Sequence, residues 1–363
     1  MKKITFLLIG LLFSSYCFSQ DYLARARKDK EWGYIDTYGK WVVNPQFEHA
    51  KDFNEGLAAV RKAGEWGFVD KKGSFVVNPQ FQDAGDFQMG LAAVKKGKEW
   101  GYIDKTGKWV VNPQFEDVHE FNNGLARVRK GGEWGFIDQN GSFVINPQFQ
   151  KVSIFSEGLA AVLKAKEWGY IDDKGGWVIN PQFEKTGDFI NGLAKVRKGG
   201  EWGFIDLNGT YVINPQFADT HYFTEDLVAV KKGKEWGFID KKGSFVINPQ
   251  FYDVKSFENG LAAVKKGKEW GFVDKNGSFV INPQFYNVRS FSNGLAAVRK
   301  GKEWGFVDEN GKWVINPQFE NVRDFNKGRT MVRKGGEWGW IDKSGTYIIN
   351  PQFPNAFQFV KVD

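Results

Sequence analysis

A chain of 363 residues is long enough for two or three domains, but 43 glycines and 17% aromatics set this one apart from an average globular sequence. Ten of its eleven prolines sit in one recurring tetrapeptide, NPQF, which excludes the scattered Pro/Gly pattern of disorder, and a lone cysteine, Cys17, excludes a disulfide framework. The formal charge of +7 falls to +5 without Lys2 and Lys3, so attraction to acidic surfaces is weak.

In chain order, the first twenty residues, MKKITFLLIGLLFSSYCFSQ, stand alone. Two lysines, an apolar run from Ile4 to Phe13 and a small, polar end give the layout of a secretory signal peptide. The run is too short to span a bilayer, so no transmembrane segment is expected. A cut after Ser19 assigns 1–19 to the leader and leaves Gln20 first in a mature chain without cysteine. Lipid anchoring at Cys17 fits poorly, because Tyr16 stands where a lipobox needs a small residue. The expected location is therefore exported: periplasmic, extracellular or at the cell surface. Folding is expected to need neither metal nor disulfide.

From residue 20 to 363 the chain is one array. Trp-Gly recurs at Trp32, Trp66 and every 34 residues to Trp338, ten times without insertion or deletion. The repeat beginning at Leu57 shows the parts. LAAVRK (57–62) reads as a strand whose Val60 column is almost all valine and hence buried; the Ala59 column admits Arg25, Arg127 and Lys195 and is read as wet. EWGFVD (65–70) is a second strand and FVVNPQF (75–81) a third, rich in Val, Phe and Trp. Two-residue links such as Ala63-Gly64 suit tight hairpins, and Lys62 facing Glu65 suggests a cross-strand ion pair. Asp70-Lys71-Lys72-Gly73 has the signature of a type I turn. A further glycine column, Gly56, Gly90 and onward, is broken only by Asp226, a residue type that tolerates positive φ. After NPQF the chain is expected to bend into a loop, QDAGDFQMG. A three-stranded sheet cannot bury enough apolar surface alone, so each unit must be the wall of the next. Trp168 is expected in that core.

Glu-Trp-Gly-(Phe/Tyr)-(Ile/Val)-Asp-x-x-Gly, followed by NPQF and Phe-x-x-Gly-Leu-Ala-x-Val, resembles the WG-repeat family of bacterial proteins over residues 22 to 363. The resemblance implies a β-rich repeat protein, often exported, with no defined catalytic residues. The last repeat departs from the pattern at FPNAFQFVKVD, where the Leu-Ala-x-Val strand is missing, while YLARARK at 22–28 supplies one such strand ahead of the first Trp-Gly. The expected fold is all-β: three-stranded meanders stacked as an open solenoid or superhelix, since ten units exceed the usual four to eight propeller blades. The alternative is a closed, propeller-like ring whose two chain ends complete one blade.

No pattern carries catalysis. Asp36, Asp70, Asp104 and their equivalents are turn residues, and a catalytic group has no reason to appear ten times. His49, His119 and His221 lack ligand spacing and read as surface residues, so no metal and no cofactor are expected. The lysine ladder Lys62, Lys96, Lys130 and onward could hold a polyanion, but a glutamate faces each lysine, and nucleic acid is not expected. The candidate ligand contacts are aromatics in the variable loops: Tyr222, Tyr252, Tyr286 and Phe357. The expected function is a non-enzymatic, exported scaffold for protein partners or envelope surfaces, with a carbohydrate-binding module as the alternative. Tyrosines on one bare ridge would point to glycan; tyrosines among charges would point to protein.

Overall fold

The computed structural model describes residues 22–362. The expected leader, 1–19, lies outside the described residues. Within them every regular element is a β-strand, and the strands form ten sheets. The chain opens with β1 (Tyr22–Lys28), β2 (Glu31–Ile35), β3 (Trp41–Phe47), β4 (His49–Ala50), β5 (Ala58–Lys62), β6 (Glu65–Val69) and β7 (Phe75–Phe81). The sheet order β4-β5-β6-β7, antiparallel throughout, is the unit that repeats.

The expected three-stranded unit is thus corrected to four strands. The additional strand lies in the segment read as a loop. It spans only two residues in most blades but six at Asp83–Gln88, Lys151–Ser156 and Asn287–Ser292. Charges and glycine in this segment hide any period-two pattern. Its backbone nevertheless pairs with β5, through Glu48 N to Arg61 O and Lys51 N to Ala59 O, both 2.9 Å.

The expected open array is also corrected: the ring closes, as in the alternative arrangement. The C-terminal strand Asn355–Ala356 pairs with β1, with Ala26 opposite Ala356 and Arg27 opposite Asn355. Val360–Lys361 adds pairing with Leu23 and Tyr22. The two ends of the chain therefore build one blade, of sheet order β3-β2-β1 with Asn355–Ala356 at the edge. Contacts across this seam match those elsewhere in the ring. A Cβ built on Gly39 would lie 2.9 Å from Ile349 Cγ2, as one on Gly73 would lie 2.6 Å from Val43 Cγ1. Trp41 meets Phe353 edge-on at 5.7 Å, as Trp109 meets Phe81 at 5.8 Å.

Turn chemistry fixes the hairpins. The Asp70 carboxylate accepts from Lys72 N at 2.8 Å and Ser74 N at 2.9 Å, and Gly73 N donates to Asp70 O. The aspartate column is therefore structural. Glu55 and Gly56 have φ of 50° and 87°, a pair of positive values that suits a primed hairpin turn. Asp226 takes φ 70°, as its place in the glycine column requires.

The glycine of Trp-Gly has a different reason. Gly67 is not at positive φ; a Cβ there would sit 2.5 Å from Val77 O and 2.6 Å from Pro79 N. The register shows why: Trp66 pairs with Phe81 and Phe68 with Val77, so β7 carries two extra residues opposite Gly67. This bulge presses the Asn78-Pro79 backbone onto β6, and only a residue without Cβ can face it.

The core is a series of layers between blades. Leu57, Phe68, Val77 and Phe81 of one blade pack against Phe87, Ala92, Val94 and Ile103 of the next. Val60 and its equivalents are buried, as expected. The Ala59 column is not wet: Ala59, Ala93, Ala161 and Ala229 are buried, whereas Arg25, Arg127 and Lys195 are half-buried. These cations reach the next blade, where Arg25 Nη1 donates to Ala50 O at 2.6 Å and Lys195 Nζ to Thr220 O at 3.2 Å. Long stems carry the charged heads from a position that buries alanine to backbone carbonyls of the neighbouring blade, where burial lowers the pKa of Arg127 and Lys195. Trp168 is half-buried, whereas Trp304 is 8% exposed. The alanine variants should therefore differ: Trp304→Ala is expected to lose about 3–5 kcal/mol and Trp168→Ala less, read by thermal melts of each. Equal losses would mean that solvent cover does not set the contribution of this column.

Candidate interaction surface

Each β7-type strand turns one aliphatic residue outward, ahead of an exposed asparagine. Val77 points into the layer below, so Val76 points out and is 44% exposed. The same exposure recurs at Val110, Val144, Val178 and onward to Val314. At the seam the equivalent Val42 and Ile348 are half-covered. Sequence reasoning missed this stripe, although the shared face of Phe75 and Val77 already dictated it.

Polar groups between blades form a second layer. Burial raises the Tyr34 hydroxyl pKa, and the hydroxyl donates to Lys51 O at 2.8 Å; Tyr102 does the same to His119 O at 2.7 Å. Asp52 pairs with Arg25 Nε at 2.8 Å, yet burial still lifts its carboxyl above the usual range. Asp86 is less well served. Burial raises its pKa, Lys51 opposes that only in part, and Oδ1 has no hydrogen-bond partner. A carboxyl raised in the fold binds its proton more readily folded than unfolded, so the charged form opposes folding above its unfolded value. Asp86→Asn is therefore expected to stabilise at pH 7 by about 1 kcal/mol, with the gain vanishing below about pH 4. Melts across that range test this; a loss at pH 7 would mean that the carboxylate has a partner.

The histidines lie on tryptophans. His49 stacks on Trp66 at 6.3 Å, His119 meets Trp134 at 5.3 Å and His221 meets Trp236 at 4.9 Å. Burial lowers the pKa of His119 and His221. Among the described residues no three His, Cys, Asp or Glu side chains group as metal ligands. A shallow groove between two blades, lined by Leu125, Val144, Phe155 and Asp173, carries no convergent set of reactive groups.

The four loop aromatics are not brought together. Phe357 packs in the seam, under the Arg25 guanidinium at 3.6 Å and beside Trp32 at 5.8 Å. Tyr222 is half-buried between blades: a Cβ on Gly187 would touch its hydroxyl at 2.5 Å, and Lys195 Nζ lies 4.2 Å from its ring. Tyr252 and Tyr286 are 70% and 66% exposed, at equivalent positions of adjacent blades. Each holds a cation beside its ring, Lys265 at 5.5 Å and Arg299 at 5.1 Å.

The lysine ladder is not self-paired as expected. Lys62 lies opposite Glu65 in register, but its Nζ donates to Gln46 Oε1 at 3.2 Å. The ion pairs run instead from Arg61 to Glu48, Arg129 to Glu116, Arg197 to Glu184 and Arg333 to Glu320, at 3.7 to 3.9 Å. Each glutamate also accepts from the glycine N–H at its hairpin tip, as Glu48 does from Gly64.

Among the described residues no helix is long and apolar enough to cross a membrane. No curated protein matches the sequence. Among solved structures, one titled "Crystal structure of the eukaryotic initiation factor" is similar with a TM-score of 0.57 at 12% identity, covering 94% of this chain and 98% of that one. Hsv2p of Kluyveromyces lactis is similar at a TM-score of 0.37 and 10% identity over 69% of this chain and 99% of that one. PorZ of Porphyromonas gingivalis, titled as a bacterial surface component of a type-IX secretion system, is similar at a TM-score of 0.29 and 11% identity over 84% and 51%. At such identities the first likeness supports the fold alone. The family described as "WG containing repeat" matches ten consecutive stretches, from 32–66 and 66–100 through 304–338 and 338–361. With the bulge that explains Trp-Gly repeated in all ten blades, the chain belongs to the WG containing repeat family.

Proposed function

We propose that this protein is an exported, non-enzymatic scaffold that holds partner proteins on the surface of its ring. The observation that carries the reading is the division of labour among columns. Repeated polar groups such as Asp70, and the Glu48–Arg61 pairs, do structural work, while variation between blades is concentrated at exposed positions. Catalysis needs unlike groups converging once on a site, and this arrangement offers like groups spread around a ring. A broad rigid surface suits protein partners. Tyr252 and Tyr286 stand among charges, which weighs against a glycan platform. Export rests on the composition of residues 1–19, and N-terminal sequencing of secreted material should begin at Gln20.

The test is a pull-down with residues 20–363 immobilised and envelope extract offered before and after protease digestion. Capture abolished by digestion supports the scaffold. Capture that survives digestion replaces it with a glycan or other non-protein polymer.

A further inference from the structure

The ten hairpin tips at the end of the blades that carries Tyr252 and Tyr286 are not equivalent in charge. Tips at 61–65, 129–133, 197–201 and 333–337 carry two cations and one glutamate, and a second glutamate just before the preceding strand answers the arginine. Three consecutive blades break this pattern. Their tips read KKGKE (231–235), KKGKE (265–269) and RKGKE (299–303), so each carries three cations and one glutamate. In the same blades the second glutamate is replaced by Ala218, Tyr252 and Tyr286. These residues keep the backbone role: Ala218 N donates to Lys231 O, Tyr252 N to Lys265 O and Tyr286 N to Arg299 O, each at 2.9 Å. The carboxylate is lost while the strand is preserved. Asp219 and Asp253 lie across from Lys231 and Lys265 without forming an ion pair, and Asn287 takes that place opposite Arg299. Arg299 Nε is buried without a hydrogen-bond partner. Other three-cation tips, such as KKGKE at 95–99, stand between neutral neighbours and form no run.

We propose that the tips 231–235, 265–269 and 299–303, with Tyr252 and Tyr286, form a docking surface for an extended, acidic peptide segment of a partner protein. The proposal rests on the scaffold reading above and names the chemistry of the partner. Excess positive charge across three neighbouring blades selects an anionic occupant and speeds its encounter. Repetition at blade spacing selects an extended one. The tyrosines decide between polymers. Lys265 and Arg299 sit beside the two rings, so the rings do not offer a bare platform for a sugar face. Their exposed hydroxyls remain free to donate to carboxylates. Lys234, Lys268 and Lys302 are exposed at the turns, held out by tight two-residue links, where little ordering is needed to bind.

The experiment uses purified residues 20–363 and a fluorescein-labelled peptide of alternating Glu and Ser, read by anisotropy at about 50 mM salt, where charge contacts are weakly screened. The variant Lys234→Glu/Lys268→Glu/Lys302→Glu is expected to weaken binding at least about 30-fold, and Tyr252→Ala/Tyr286→Ala about 5-fold. A control with the same charge change at the opposite blade ends, Lys71→Glu/Lys72→Glu/Lys242→Glu, should stay within about 3-fold. Near-UV circular dichroism verifies that each variant is folded. Equal loss in the control would reduce the effect to net charge and overturn the proposal. So would absence of binding by the parent protein, or tighter, tyrosine-dependent binding of polygalacturonate. Protease-sensitive capture from extract that persists in the tip variant sinks this surface yet leaves the scaffold standing; capture insensitive to protease sinks the scaffold itself.

Discussion

Truncation after Phe353 should lower the melting temperature sharply and make the protein self-associate. The lost segment includes the strand Asn355–Ala356 that pairs with β1, and Val360–Lys361 that extends it. It also removes Phe357 from Trp32 and Phe359 from Trp340, where the rings lie 5.8 and 5.2 Å apart. Trp340, fully buried in the intact ring, would be uncovered on one side. Two partly buried aromatics, Ala356 and two valines together represent about 5 kcal/mol of apolar burial. The edge of β1 would then present free N–H and C=O groups, a template for pairing between molecules. A thermal melt and size-exclusion chromatography over a concentration series read both effects. An unchanged melt would mean that the ring does not depend on its seam, and the closure described above would have no energetic content.

Gly135→Ala should be nearly as damaging, though it adds one methyl group. That Cβ would lie 2.4 Å from Ile145 O, 2.6 Å from Pro147 N and 2.8 Å from Asn146 C. All three are backbone atoms of a bulge that cannot swing aside, so two strands must separate, at about 3 kcal/mol or more. Gly85→Ala provides the contrast, because its Cβ would come only within 3.3 Å of the Glu120 side chain, whose end can move. That variant should fall within about 1 kcal/mol of the parent. Denaturant melts of the pair decide the matter. If both were tolerated alike, close backbone approach would not be the reason for glycine after tryptophan.

Much of the unit was legible in the sequence because its determinants are local. The Asp70 turn, the positive φ at Asp226 and the burial of Val60 each follow from neighbours a few residues away. The failures have a common cause. The fourth strand was missed because it spans only two residues in most blades, its charges mask its period, and only backbone pairing with β5 identifies it. The Lys62 ladder was given the wrong partner because Gln46 belongs to β3 of the preceding blade. The Ala59 column was read as wet from Arg25 and Lys195, whose stems instead carry the charge to carbonyls of the next blade. Of the four candidate aromatics, composition could not separate Tyr252 and Tyr286, which reach solvent, from Phe357, which the seam covers. The basic run at 231–303 is visible in the sequence, but its meaning needed the structure, which showed a glutamate answering the arginine in four other blades and replaced in these three.

By itself the sequence determined the repeat, its period of 34 residues, three of its four strands and most of its turns, because these rest on side-chain alternation and backbone preferences within one unit. Whether ten such units spiral open or meet was decided by the tertiary structure alone. Closure depends on the small rotation from each blade to the next, summed ten times, and every blade shows the same local pattern either way. The two chain ends, each incomplete as a repeat, supply the strands that make the sum close.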